Sequence, residues 1–148
     1  MKLRKPSVKF VQSTLNRYEK QGGHLLNDKL LKLFRTFSDE SDLSETRIKV
    51  AALNTLYSTA ITNINPVVNR ILSVSAEVRP KRLSEYVEFV DLISEVKWTN
   101  PNTGLTYERN NLSFASKYVH FLSKTRTPIY DSYIWIIIRG YLGQKGLS

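Results

Sequence analysis

The chain contains no cysteine. Without thiols it has no disulfide framework, no Cys-based zinc or iron–sulfur site and no thiolate nucleophile. Histidine is almost as scarce. His24 and His120 stand far apart with no HExxH or HxxxH pairing, and no acidic cluster has the spacing of a cation loop. The run Asp39-Glu40-Ser41-Asp42 reads as a loop and a helix start. Glycine is sparse, and Gly22-Gly23 lies outside any GxGxxG or Walker context, so the usual phosphate-cradling loops are missing. No metal and no cofactor are expected. Long apolar runs are lacking too: the longest is Tyr133–Ile138, far short of a membrane span. The basic N-terminus is followed by no apolar core of a secretory signal, which predicts a cytoplasmic protein with no membrane partner.

What is present fits one domain over residues 1–148, since a hydrophobic fraction of 41% is enough for a core of its own. The net charge is +9, and its distribution is uneven. Lys2, Arg4, Lys5, Lys9, Arg17 and Lys20 face Glu19 alone within the first twenty residues. Arg109, Lys117, Lys124, Arg126, Arg139 and Lys145 face Asp131 alone beyond residue 108, while the middle is nearly neutral. Folded onto one face, the two ends would make a positive field suited to phosphate backbones. The other readings of the same charge are an acidic protein partner and simple solubility.

The periodicity is helical. A first helix is expected over Ser7–Lys20, with Val8, Val11, Leu15 and Tyr18 on one side, and a second over Asn27–Phe37. Asp42 and Glu45 form a capping box for a third helix reaching about Thr62, with Ile48, Ala51, Ala52, Leu56, Tyr57 and Ala60 as its apolar positions. Asn65-Pro66 opens a fourth that runs to about Val74. After the basic loop Arg79-Pro80-Lys81-Arg82, a fifth starts near Leu83 or Ser84 and buries Val87, Val90, Leu92 and Ile93. The period then stops: Asn100–Gly104 is turn chemistry between alternating segments, predicting a small β-hairpin near residues 96–108. A sixth helix covers Ser113–Leu122, and a seventh runs from Asp131 to Gly143. Because Tyr133–Ile138 is apolar on every side, the seventh is expected in the centre of the core, or else as half of a dimer interface. The fold class is all-α, a bundle of about seven helices.

The C-terminal third carries the candidate chemistry. Lys117 lies in an otherwise apolar helix, and Pro128-Ile129-Tyr130-Asp131 leads into the next one. In this pairing the sequence resembles the helix-hairpin-helix (HhH-GPD) superfamily of DNA glycosylases, with a weaker likeness in style over residues 45–142. The tyrosine is an insertion relative to that family's Pro-x-Asp pattern, and Arg109-Asn110-Asn111-Leu112-Ser113 stands where the family has its glycine hairpin. The resemblance implies DNA binding and DNA repair. It further implies a Lys117 amine able to form a Schiff base with a flipped nucleotide, and an Asp131 carboxylate able to stabilise the charge left as the base departs. The ordinary readings are a snorkelling lysine and a helix N-cap.

For nucleic-acid binding the candidate residues are Lys2, Arg4, Lys5, Lys9, Arg79, Lys81, Arg82, Lys124 and Arg126. Tyr118 and Tyr130, with Phe121 and Tyr133 beside them, are the candidates for stacking on bases. The leading expectation is a DNA-binding domain, catalytic only if Lys117 and Asp131 converge. The alternative is a non-enzymatic accessory protein of phage or plasmid type that binds an acidic protein partner. A third is a homodimer joined through the last helix, in place of a monomer.

Overall fold

A computed structural model describes residues 7–143. Among them are seven helices: α1 (Val8–Lys20), α2 (Gly23–Thr36), α3 (Leu43–Leu56), α4 (Asn65–Glu77), α5 (Leu83–Ser94), α6 (Leu112–Leu122) and α7 (Ser132–Leu142). A two-stranded antiparallel sheet, β1 (Glu95–Thr99) and β2 (Thr106–Asn110), lies between α5 and α6. The protein is therefore all-α with one small hairpin. No helix among the described residues is long and apolar enough to cross a membrane.

Local chemistry sets most boundaries. Ser7 Oγ accepts the Phe10 amide at 3.2 Å and starts α1. The turn into α2 is tight because the Tyr18 ring lies against Gly23, whose backbone carbonyl accepts the Tyr18 hydroxyl at 2.8 Å. A Cβ at Gly23 would meet that ring at 2.1 Å, so the Tyr18 ring keeps this place only beside a glycine, and α2 begins there, earlier than Asn27. Asp42 caps α3 through the Glu45 amide at 2.8 Å. The Glu45 carboxylate, expected to return the bond to Asp42, reaches the Asp39 amide at 3.0 Å instead.

The third helix stops at Leu56, well before the expected Thr62. Asn54 is the cause. Its amide side chain accepts from Thr59 Oγ1 at 2.7 Å and the Ile61 amide at 3.1 Å, and donates to the Ile61 carbonyl at 2.9 Å. These bonds fold the chain back on the helix end, with Ser58 and Ala60 at positive φ. The buried side of α3 also differs from the expected one. Thr46, Lys49, Val50 and Leu53 face inward at helical spacing, while Ile48 and Leu56 are exposed. Val87 on α5 is exposed as well; Phe89, Val90 and Ile93 form its buried side.

The core is built around α6, packed by α2, α3 and α5, with α4 behind α3 and α5. Phe114 through Val119 are buried without a break, which makes α6 the helix enclosed on all sides. Its small Ser116 lets the Tyr130 backbone approach to hydrogen-bonding distance. Phe34 meets the Tyr118 ring edge-on at 5.0 Å and Phe121 at 5.7 Å. Each fully buried side chain of this size contributes about 1.5–3 kcal/mol through its removal from water. In the hairpin, Trp98 pairs with Tyr107 and their rings stack at 5.3 Å.

The expectation that the seventh helix lies in the centre of the core is overturned. No residue of α7 is buried, and Tyr133, Trp135, Ile136 and Ile137 are all exposed. α1 buries nothing either, and its Val8, Val11, Leu15 and Tyr18 remain open to solvent beside α2.

Candidate functional site

Two segments named for their charge meet on one face. The α4–α5 loop carries Arg79, Lys81 and Arg82, all exposed. Its shape is held by Glu85, whose carboxylate accepts the backbone amides of Lys81 at 2.7 Å and Arg82 at 3.2 Å. Those two amides hold the Glu85 carboxyl below its usual range. The turn after α6 carries Lys124 and Arg126. It is closed by Ser123, whose hydroxyl accepts the Thr127 amide at 3.0 Å and the Thr127 hydroxyl at 2.8 Å. His120 Nδ1 lies 2.6 Å from the Thr127 carbonyl.

The bridge between the two segments is Arg126 on Tyr86. The Arg126 side chain donates to the Ser123 carbonyl at 3.0 Å, and its guanidinium sits 5.4 Å from the centre of the Tyr86 ring on α5. Tyr86 in turn shares a cleft with Arg79, Ser38, Asp39, Glu40 and Leu122. Ser38 and Leu122 also border an adjoining depression with Phe34, Arg35 and Lys124. The surface from Arg35 and Lys124 to Arg79 and Arg126 is therefore continuous. Its acidic members are Asp39, Glu40 and Glu85. Glu40 is neutralised by Lys49 beneath it, so the cations remain in excess.

Lys49 is a component that the sequence reading missed. It is fully buried, donates to the Phe37 carbonyl at 2.8 Å and pairs with Glu40, which also accepts the Tyr118 hydroxyl. Its ammonium lies over the Phe34 ring at 5.5 Å. The available signal was the spacing of Thr46, Lys49, Val50 and Leu53, a helical stripe that a count of apolar residues alone does not register. Arg35, Tyr86 and Ser75 were missed for a simpler reason: nothing in their local sequence marks them.

Lys117 and Asp131 are brought toward each other. Ser116 Oγ accepts the Tyr130 amide at 3.0 Å and donates to the Tyr130 carbonyl at 3.1 Å, which lays the approach to α7 along α6. Lys117 Nζ donates to Ser113 Oγ at 2.6 Å and lies 5.9 Å from the centre of the Tyr57 ring. Burial lowers the pKa of the amine, and the Asp131 charge opposes that shift in part. Asp131 itself caps α7, accepting the amides of Tyr133 at 2.9 Å and Ile134 at 3.0 Å. One oxygen of its carboxylate is thus engaged, and the Lys117 side chain is buried.

The stacking candidates divide. Tyr118 and Phe121 are core residues, 0% and 2% exposed, and cannot receive a base. The Tyr118 hydroxyl is occupied by Glu40, and the face that its helix was expected to offer is covered by α2. Tyr130 and Tyr133 are exposed. Of the N-terminal cations, Lys9 is exposed on α1, whereas Lys2, Arg4 and Lys5 lie outside the described residues.

The family described as HI_0787_N, N-terminal domain, matches residues 10–126, from α1 to Arg126. No curated protein and no solved structure matches the chain.

Proposed function

For a chain that belongs to the HI_0787_N N-terminal-domain family, we propose nucleic-acid binding, DNA first, through the face that carries Arg35, Arg79, Lys81, Arg82, Lys124 and Arg126. The observation that carries this reading is the Arg126–Tyr86 contact at 5.4 Å. It joins two basic segments remote in sequence, and each is held in shape by its own hydrogen bonds. Fixed cations along a continuous surface suit a phosphate backbone, whose contacts position a duplex or strand without reading its sequence.

Titration with DNA at several salt concentrations tests the reading. Affinity is expected to fall by about 0.7–0.9 log units per log unit of salt for each phosphate neutralised. Arg79→Glu with Arg126→Glu is expected to weaken binding to all sequences alike and to flatten that slope. Weak binding indifferent to salt would set this reading aside in favour of a partner other than nucleic acid.

A further inference from the structure

The cleft beside this face contains a polar group with nothing to bond. Ser75, on the inner turn of α4, is 4% exposed, and its hydroxyl is the one buried side-chain polar atom among the described residues that lacks a hydrogen-bond partner. Leaving a buried hydroxyl unpaired costs stability, so such a group calls for an explanation. Ser75 lines the cleft already described, its hydroxyl turned beneath the surface, together with Val78, Phe89 and Leu122 as apolar walls. The volume is about 200 Å³, smaller than the range of drug-sized ligand pockets and suited to one planar ring system.

We propose that this cleft receives the heterocyclic base of a nucleotide, with the covered Ser75 hydroxyl rotating about χ1 to bond the edge of the ring as the base enters, and the phosphate lying against Arg79 and Arg126. The inference rests on the nucleic-acid reading for its source and on Ser75 for its site. Tyr86 and Phe89 provide aromatic surface for the base, and Arg126 fixes the Tyr86 ring from outside. Asp39 sets the choice of base. Its carboxyl is held below the usual range, first by the hydrogen bonds from Ser41 and then by the charges of Arg79 and Lys49. It is therefore ionised at neutral pH and only accepts hydrogen bonds. A base with an exocyclic amine answers both Asp39 and Ser75, whereas uracil and thymine offer the carboxylate a single ring N–H between two carbonyl oxygens that repel it. Glu40, at the same wall, has both carboxylate oxygens taken by Lys49 and Tyr118 and does not compete.

The test compares a short single-stranded oligonucleotide with one of equal length made wholly of abasic sites, alongside free GMP and UMP. The intact strand is expected to bind at least about fivefold tighter than the abasic one, as stacking of a single base implies. GMP is expected to bind better than UMP. Ser75→Ala is expected to lower affinity for the intact strand and for GMP, while thermal stability is unchanged or higher and the salt slope is retained. Equal affinity for intact and abasic strands, or Ser75→Ala with reduced stability and unaltered binding, would overturn the proposal. In the first of those cases a steep salt dependence would leave the DNA reading standing by itself. GMP binding that is lost in Ser75→Ala, combined with salt-indifferent strand binding, would instead uphold the cleft and assign it to a free nucleotide. If neither strand nor mononucleotide binds, both proposals fail.

Discussion

Tyr118 shows how much one buried polar network can do. Its phenol is pushed well above the usual tyrosine value, first by burial and then by the negative charge of the Glu40 carboxylate, to which its hydroxyl donates a hydrogen bond. A group whose folded pKa is raised adds stability below its unfolded pKa, about 10 for tyrosine, and loses it as pH climbs beyond that point. Tyr57 acts in the same direction, because burial raises its pKa too. Lys117 acts in the opposite sense. Its lowered folded pKa makes the buried ammonium a cost at neutral pH, and that cost is relieved as pH rises toward the unfolded lysine value. Tyr118 is enclosed the more completely, so stability is expected to fall above about pH 10. Denaturant midpoints measured from neutral pH upward check this. Tyr118→Phe should remove most of the alkaline fall while costing about 1.5–3 kcal/mol at neutral pH, the usual loss of a hydrogen bond to a charged group.

At the level of whole elements, α6 and α7 exchange the roles that hydropathy assigns them. α7 is the more apolar by composition, yet α6 is enclosed and α7 is not. The enclosed helix has the small residues Ala115 and Ser116 within its buried run; α7 carries Ile, Trp and Tyr at most of its positions. The chain before α7 is tied at Thr127 and Tyr130, and no residue of the helix that follows is buried. Ile137 is 46% exposed, so Ile137→Asp is expected to change stability by no more than about 0.5 kcal/mol, as a surface substitution does. Loss of cooperative melting in that variant would place α7 inside the core after all.

Across the whole molecule, charge is gathered in a way the linear sequence conceals. The reading by chain ends emphasised Lys2, Arg4, Lys5 and Lys9 together with the C-terminal cations. The fold joins Lys124 and Arg126 to Arg79 through Tyr86, and to Arg35 across the adjoining depression. α1, which carries Lys9, packs on α2. Neutralising Lys2, Arg4, Lys5 and Lys9 together is therefore expected to weaken DNA affinity less than Arg79→Glu with Arg126→Glu. Competition titrations at one salt concentration compare the two variants directly. The reverse order would move the binding face to the N-terminal arm.

The elements themselves were legible along the chain, because capping residues, turn chemistry and period 3.6 act over a few neighbouring residues. Ser7, Asp42, Pro66, Asn100 and Gly143 marked real boundaries or turns. The fold class followed from them. Burial was less legible, since whether an apolar stripe is covered depends on partners distant in sequence: among the described residues Val8 and Ile137 stay exposed, while Lys49 and Thr46 are covered. The site was the least legible part. Arg79 and Arg126 could be named from charge alone. Their meeting, the ring that joins them, and the unpaired Ser75 hydroxyl beside them arise only when α4, α5 and α6 pack, because packing decides which polar groups lose water and which find partners.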